Sequence, residues 1–356
     1  MNQKSIGFLL ENANPSIINR VKNEILGNLT AQESVQYQEQ IMSESTIQGI
    51  IAAQQPDGWI GNNYHNRGIY EGHVCALQHL IEKSVNKDTP FFAKAMEALV
   101  NTPATDARYG RGFDFCEFRY PGMGAKLHHS SYIAAAGYDD VYDISPHIQL
   151  SFDSVKRIAE IDSVFDILHQ KKRGGQLRWV FNDYEKWPCD VHFQILAHTH
   201  SWRSEENIKT VAAAVNQMMQ TDDPALVSFI PGSQVGCLGG CYPAQGMTVR
   251  TGLYPSPVLI DGADNNLYHF KRIEIFARCG IIPYVPGLQK IVGEIAASFD
   301  NNGICRLEGV CERLFRTGKY YGMQLETDWR SKIRKACDIT FRALLILHYS
   351  IQRKGE

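Results

Sequence analysis

Gln54-Gln55-Pro56-Asp57-Gly58-Trp59-Ile60-Gly61 is the stretch on which the fold assignment turns. Asp57-Gly58 supplies the residues of a tight turn. Trp59 is a large apolar wedge suited to the space between helices, and Gln54 can satisfy a backbone group of the loop. Helical periodicity follows at once: Tyr70, Val74, Leu77 and Ile81 fall at i, i+4, i+7 and i+11. The unit is therefore a structured turn followed by an amphipathic helix.

Outward from this unit the pattern recurs. Gly174-Gly175-Gln176-Leu177-Arg178-Trp179 and Asp300-Asn301-Asn302-Gly303-Ile304-Cys305 resemble the same loop. Ile158, Ile161, Phe165 and Leu168 make a helical face, and Ile208, Val211, Ala212, Val215 and Met219 another. Helices that follow long polar, aromatic loops are expected to begin near Tyr70, His128, Pro188, Tyr268 and Asp328. An earlier pair, about Ser16–Leu26 and Ala31–Gln54, brings the set to about six hairpins. The last helix, from about Asp328 to Ile351, is apolar nearly all round at Ile339–Tyr349, as a helix buried on several sides would be. Alternating strands are rare; Val227–Ile230 and Thr248–Leu253 are the best. The Gly- and Pro-rich run from Pro231 to Gly262 is expected as an elaborated loop, about 222–264, over a cavity mouth. The expected fold is all-α: one domain over 1–356, an (α/α)6 toroid of helical hairpins around a central funnel.

The Gln54–Trp59 phrase resembles the repeat of the terpenoid cyclase and protein prenyltransferase superfamily. There a Gln, an Asp-Gly turn and a Trp recur before the inner helices of an α/α toroid. The resemblance implies a fold over most of the chain but not a reaction, because similar toroids host glycan hydrolases, lyases and epimerases.

Motifs for metal chemistry depart from the family patterns. The Asp-x-Asp-Asp of class II cyclases is absent. Asp139-Asp140-Val141-Tyr142-Asp143 spells the Asp-Asp-x-x-Asp of class I terpene synthases, where paired carboxylates hold magnesium. It lies between Gly137 and Pro146 and lacks a distant partner, so a solvated loop or helix start is expected. Cys189-Asp190-Val191-His192, with His198, His200, Cys237 and Cys241, carries zinc-compatible side chains at unsuitable spacings. No metal or other cofactor is expected.

The helix entries carry the remaining chemistry. Tyr64, His65, Arg67, Tyr70, Glu71 and His73 precede or open one helix; His128, His129 and Tyr132 lie in the next. Asp183, Tyr184, Glu185, Trp187, Asp190 and His192 mark the third entry, Asp264, Tyr268 and His269 the fourth, and Glu326, Asp328 and Trp329 the last. On a toroid these entries share one rim, where acids, imidazoles and aromatics can form a general acid–base site. Asp190 and Glu71 are the expected acids, with His192 and His73 as polar partners. Tyr64, Arg67, Tyr70, His128, Trp187, Asp264, Tyr268, Asp328 and Trp329 are the expected substrate contacts. The expected function is an enzyme acting on a hydrophobic, isoprenoid-like small molecule, for which the 10% aromatic content suits carbocation stabilisation. A glycan-processing toroid and a non-catalytic ligand- or protein-binding toroid are the alternatives.

Bulk properties set the outer bounds. Lys plus Arg number 36 against 38 Asp plus Glu, a balance that speaks against a dedicated nucleic-acid surface. No run of 18 apolar residues exists, the start of the chain does not read as a signal peptide, and nine scattered cysteines suit reduced thiols. A cytoplasmic protein with no membrane span is expected; the sequence leaves its oligomeric state open.

Overall fold

A computed structural model describes residues 3–64, 68–103, 105–109, 125–163, 166, 168–173, 176–181, 188, 190–220, 270–307 and 324–351. Helices dominate them. In chain order they are α1 (Gln3–Asn12), α2 (Pro15–Arg20, continued by a π-turn at Val21–Ile25), α3 (Ala31–Met42), α4 (Ser45–Ala52), α5 (His73–Glu82) and α6 (Pro90–Asn101). Then come α7 (Ala125–Ala136), α8 (Ser145–Ala159), a hairpin of β1 (Leu168–Arg173) and β2 (Gln176–Phe181), α9 (Asp190–His198), α10 (Glu205–Gln220), α11 (Phe270–Arg278), α12 (Pro286–Ala297) and α13 (Lys332–Ile351). No helix among the described residues is long and apolar enough to cross a membrane.

Local chemistry sets the ends. Asn14 caps α2, its side chain accepting from the Ile17 N–H, with Pro15 at the first helical position where a missing N–H costs nothing. Thr30 and Glu33 form a reciprocal capping box at the start of α3. Gly137, at φ 68°, ends α7, so Asp139, Asp140 and Asp143 lie exposed in the turn after it rather than on a helix. Asp143 accepts from the Ser145 N–H at the start of α8.

Two burial patterns alternate along the chain. α5, α7, α9, α11 and α13 are buried nearly all round; in α13 the ten residues Cys337–Ile346 are buried without a break. These are the helices expected near Tyr70, His128, Pro188, Tyr268 and Asp328. α6, α8, α10 and α12 bury one stripe only and leave the opposite face in water.

The chain divides into two compact units, Met1–Gly110 with Val292–Gln352, and Arg111–Ile291 with Arg353–Glu356. In the second, α9 packs on α7, α8 and α11, while α10 packs on α8 and on the 3-10 turn Ile282–Tyr284. The end of α9 is closed by side chains that come after it. Trp202 Nε1 donates to the Leu196 carbonyl at 2.9 Å, and Arg203 donates to the carbonyls of Ala197 and Thr199, each at 3.0 Å.

In the first unit α1 packs on α13, α2 on α3, and α5 on α6. The core of Leu9, Ile17, Val21, Leu325, Phe341, Leu344 and Leu345 joins the two ends of the chain. The loops at 54–61 and 299–306 share one bonding pattern. Gln54 bridges to Ile60 as Phe299 does to Cys305. The Gly58 N–H donates to the Gln55 carbonyl as the Gly303 N–H does to that of Asp300. Gly61 and Arg306 donate back to Ala53 and Ser298, the residues that follow α4 and α12.

The third expected copy of that loop is not one. The helical face drawn through Ile158, Ile161, Phe165 and Leu168 stops at Ala159, and Leu168–Arg173 pairs antiparallel with Gln176–Phe181, Arg173 opposite Gln176. The register leaves only Gly174-Gly175 between the strands, a composition that two-residue hairpin connections favour. The elaborated loop at about 222–264 and the strands placed within it lie outside the described residues.

Candidate functional site

The loop that decides the fold docks on the first residue of α5. The Ile60 N–H donates to His73 Nδ1 at 2.9 Å, and His73 Nε2 therefore carries the proton and meets the Ala95 carbonyl at 3.1 Å. The Trp59 indole lies flat on the His73 ring, centroids 4.2 Å apart. On its other side the Arg108 guanidinium sits 4.6 Å from the indole centroid, held by Asp57 at 2.6 Å and Asp106 at 2.9 Å. Arg108 in turn holds the Asp57 carboxyl below its ordinary range. Tyr64 and Tyr109 complete the cluster, 4.8 Å apart. Gln54 Nε2 donates to the carbonyls of Gly58 and Phe91, as a residue that satisfies loop backbone should.

Burial pulls the His73 pKa from 6.5 down to about 3, so the ring is neutral. With both nitrogens engaged by backbone, His73 anchors the loop. Tyr64 is equally packed away, whereas Glu71 is exposed and held by its backbone, its carbonyl accepting from Asn62 and Asn63 and its N–H donating to Gly68. The His73–Glu71 pairing expected from the sequence is therefore split between core and surface.

A cavity of about 350 Å³ opens elsewhere in the first unit. It is bounded by Thr46 in the first turn of α4, by Gly68, Ile69 and Tyr70, by His79 and Lys83 at the end of α5, and by Gln324–Thr327. Its size falls at the lower end of the range of about 300–1,000 Å³ common for small-molecule sites. Three ionisable side chains on its wall are almost wholly withdrawn from water: His79 is 4% exposed, Lys83 1% and Glu326 2%.

Each has a distinct state. The Lys83 ammonium pairs with Glu44 and donates to the Leu325 carbonyl. Burial, reinforced by the Lys83 charge, pulls the His79 pKa from 6.5 to about 3 and keeps the ring neutral. Burial pushes Glu326 the other way, from 4.5 up to about 7; the Asn14 N–H, donating at 2.8 Å, only partly offsets it. Arg334 stands 3.5 Å from the same carboxyl. Behind it, Asp338 accepts from the backbone N–H groups of Leu325 and Glu326 and from Trp329 Nε1, so the segment carrying Glu326 is fixed to α13. In two of the lining residues a buried polar atom, His79 Nε2 and Thr46 Oγ1, finds no hydrogen-bond partner among the described residues.

No known family, curated protein or solved structure matches the chain.

Of the expected contacts, Tyr70 lines this cavity, 45% exposed at its rim. Asp328 is exposed and accepts from the Arg330 N–H, while Trp329 Nε1 donates to Asp338, which holds the Leu325–Glu326 backbone. In the second unit His128 is buried edge-on to Tyr132, and His192 is fully buried in α9. Asp190 opens α9, but its side chain, like Arg67, Trp187, Asp264 and Tyr268, lies outside the described residues. Among the described residues no three His, Cys, Asp or Glu side chains cluster as a metal site would need; Cys189, Cys237 and Cys241 lie outside them.

His79 and Lys83 escaped the sequence reading, although a signal existed. They lie four apart, hence on one face, in a helix whose other residues are mostly apolar. Glu326 was legible only as one more acid at a helix entry; its burial depends on Asn14, more than 300 residues away in the chain.

Proposed function

We propose that this protein is an enzyme of small-molecule chemistry on an (α/α)6 toroid frame, with Glu326 transferring a proton in the cavity between α4, α5 and the 324–327 segment. The toroid is supported by the alternation of all-round and one-face burial and by the paired loops at 54–61 and 299–306. The loop glycines strengthen this. Gly58 packs on Lys94 in α6, the helix after α5, and Gly303 packs on Lys4 and Ser5 in α1. α1 thus stands to α13 as α6 stands to α5, as a ring of hairpins requires of its first and last helices.

The observation that carries the function is Glu326: a buried carboxyl on a cavity wall, with a pKa of about 7. Such a group offers and accepts a proton with nearly equal ease at neutral pH, which is what general acid–base catalysis asks of it. His79, neutral on the same cavity, can donate to or accept from a bound substrate without bringing a charge. The open surface of the cavity is mostly apolar with a few polar groups set into it, which favours a substrate that carries both an apolar face and hydrogen-bonding groups over the wholly apolar isoprenoid that the Gln54–Trp59 resemblance suggests.

Purified protein incubated with pooled small metabolites, followed by mass spectrometry, tests the reading. The wild type is expected to consume at least one polar component, and Glu326→Gln to leave it untouched while folding normally. Consumption that persists unchanged in folded Glu326→Gln would remove Glu326 from the chemistry. A wild type that binds components but converts none makes the cavity a binding site.

A further inference from the structure

Resting on the cavity as a substrate site, we infer that its ligand is an uncharged, hydroxyl-rich small molecule, bound with its hydroxyls toward His79 and Thr46 and one face against Tyr70. Three observations lead there.

The first is the pair of buried polar atoms without protein partners. His79 and Thr46 come from different helices and border the same cavity, and His79 Nε2 and Thr46 Oγ1 are enclosed with no partner among the described residues. Leaving such groups unsatisfied is costly, so a native wall that carries two of them is shaped to meet a polar guest. A hydroxyl both donates and accepts. It therefore suits the neutral imidazole in either tautomer, the threonine hydroxyl, and a Glu326 carboxyl that exchanges its proton near neutrality.

The second is the charge balance. The Lys83 ammonium is already neutralised by Glu44, and two of its three N–H donors are taken. Among the described residues that line the cavity, no cation outside an ion pair is left to meet the further negative charge that an anionic head would bring beside Glu44 and Glu326. A cationic head would face Lys83, and Arg334 beyond Glu326. Burying an unpaired charge is far more costly than burying a hydroxyl that finds partners.

The third is how Tyr70 is held. Gly49 lies within α4, where glycine is less favourable than alanine by about 1 kcal/mol. A β-carbon at Gly49 would come within 2.6 Å of the Tyr70 ring. The absent side chain lets the ring seat at the cavity rim, half in water, where it offers an apolar face to the C–H side of a hydroxylated ring. Gly49 is thus a positioning residue acting through Tyr70.

The experiment is saturation-transfer NMR, with affinities from calorimetry, on the full chain. The probes are neutral monosaccharides and cyclitols, the matching uronic acids and sugar phosphates, and the matching amino sugars. Neutral members are expected to bind, with Thr46→Val weakening them about five- to tenfold. Gly49→Ala should also weaken binding by displacing the Tyr70 ring, with no loss of thermal stability, a combination that a merely structural Gly49 would not give. Preferential binding of the acids, phosphates or amino sugars overturns the uncharged ligand and leaves the cavity as a substrate site. No binding by any member, with the wild type folded, overturns the hydroxyl-rich class. Consumption of other metabolites through Glu326 then decides separately whether the cavity acts at all.

Discussion

Gly303 lies with its α-carbon against the backbone of Ser5: a β-carbon there would stand 2.4 Å from the Ser5 nitrogen. Gly58 holds the same relation to Lys94, whose carbonyl oxygen would be 2.4 Å away. Both glycines have positive φ, 77° and 92°, so a side chain meets strain as well as backbone. Gly303→Ala and Gly58→Ala are each expected to cost about 2 kcal/mol or more, read from urea denaturation. Gly7→Ala and Gly293→Ala are the controls. Nothing lies within 4 Å of a β-carbon at either, and in a helix alanine should be neutral or favourable. Equal losses at all four would remove the special role of the two loop glycines.

His73 fixes the loop by accepting from Ile60 and stacking on Trp59. Phenylalanine at 73 keeps a ring under the indole but leaves the buried Ile60 N–H without an acceptor, a loss of about 1–3 kcal/mol at pH 8. The folded pKa of about 3 lies below the unfolded 6.5, so the stability His73 contributes is present above 6.5 and lost as pH falls. At pH 5 the cost of His73→Phe should accordingly be smaller than at pH 8 by about 2 kcal/mol. A pH-independent cost would mean that the imidazole is solvated and free to ionise.

Glu82, 2% exposed, joins α5 to two other helices through Arg20 at 3.0 Å and Arg342 at 2.7 Å. Arg20 also pairs with Glu24, and Gln78 donates to the second oxygen of Glu82. Glu82→Gln keeps the shape and removes the charge that both guanidinium groups face. A loss of about 3–5 kcal/mol is expected, because breaking a buried pair leaves a charge uncompensated. Thermal denaturation reads it; a loss below about 1 kcal/mol would place the network in water.

The order of helices was legible because it depends on periodicity and on loop chemistry, both local. The starts expected near Tyr70, His128, Pro188, Tyr268 and Asp328 fall within about four residues of His73, Ala125, Asp190, Phe270 and Lys332. Helix α1 was missed: its ten residues carry a short apolar stripe whose meaning lies in α13, at the far end of the chain. The hairpin at 168–181 was misread because Gly174-Gly175 fits either a repeat loop or a two-residue turn, and only the pairing partner decides. Site residues were the least legible. His73 and Tyr70 are three apart, yet one is locked between backbone groups and the other faces a cavity. Residue type alone does not separate these fates.

Glu326 gives the sharpest test because its burial has a sign. Its folded pKa, about 7, lies above the unfolded value of 4.5, so between those limits the folded protein holds more protons than the unfolded chain. Stability attributable to this carboxyl is therefore full below 4.5 and falls as pH rises through 7, by about 3 kcal/mol in all. Glu326→Gln has no such dependence, while its amide oxygen can still accept from the Asn14 N–H. Relative to wild type, the variant should thus gain about 3 kcal/mol between pH 4.5 and pH 8. Urea denaturation of both proteins at the two pH values measures it, and the other titrating groups cancel in the difference. Arg334→Met sharpens the assignment. Removing the guanidinium 3.5 Å away should raise the Glu326 pKa further, so the loss in this variant begins at the same pH but continues to higher pH and is larger in all. A difference between wild type and Glu326→Gln that stays flat across the range would mean a carboxyl in ordinary contact with water, and proton transfer by Glu326 would have no physical basis.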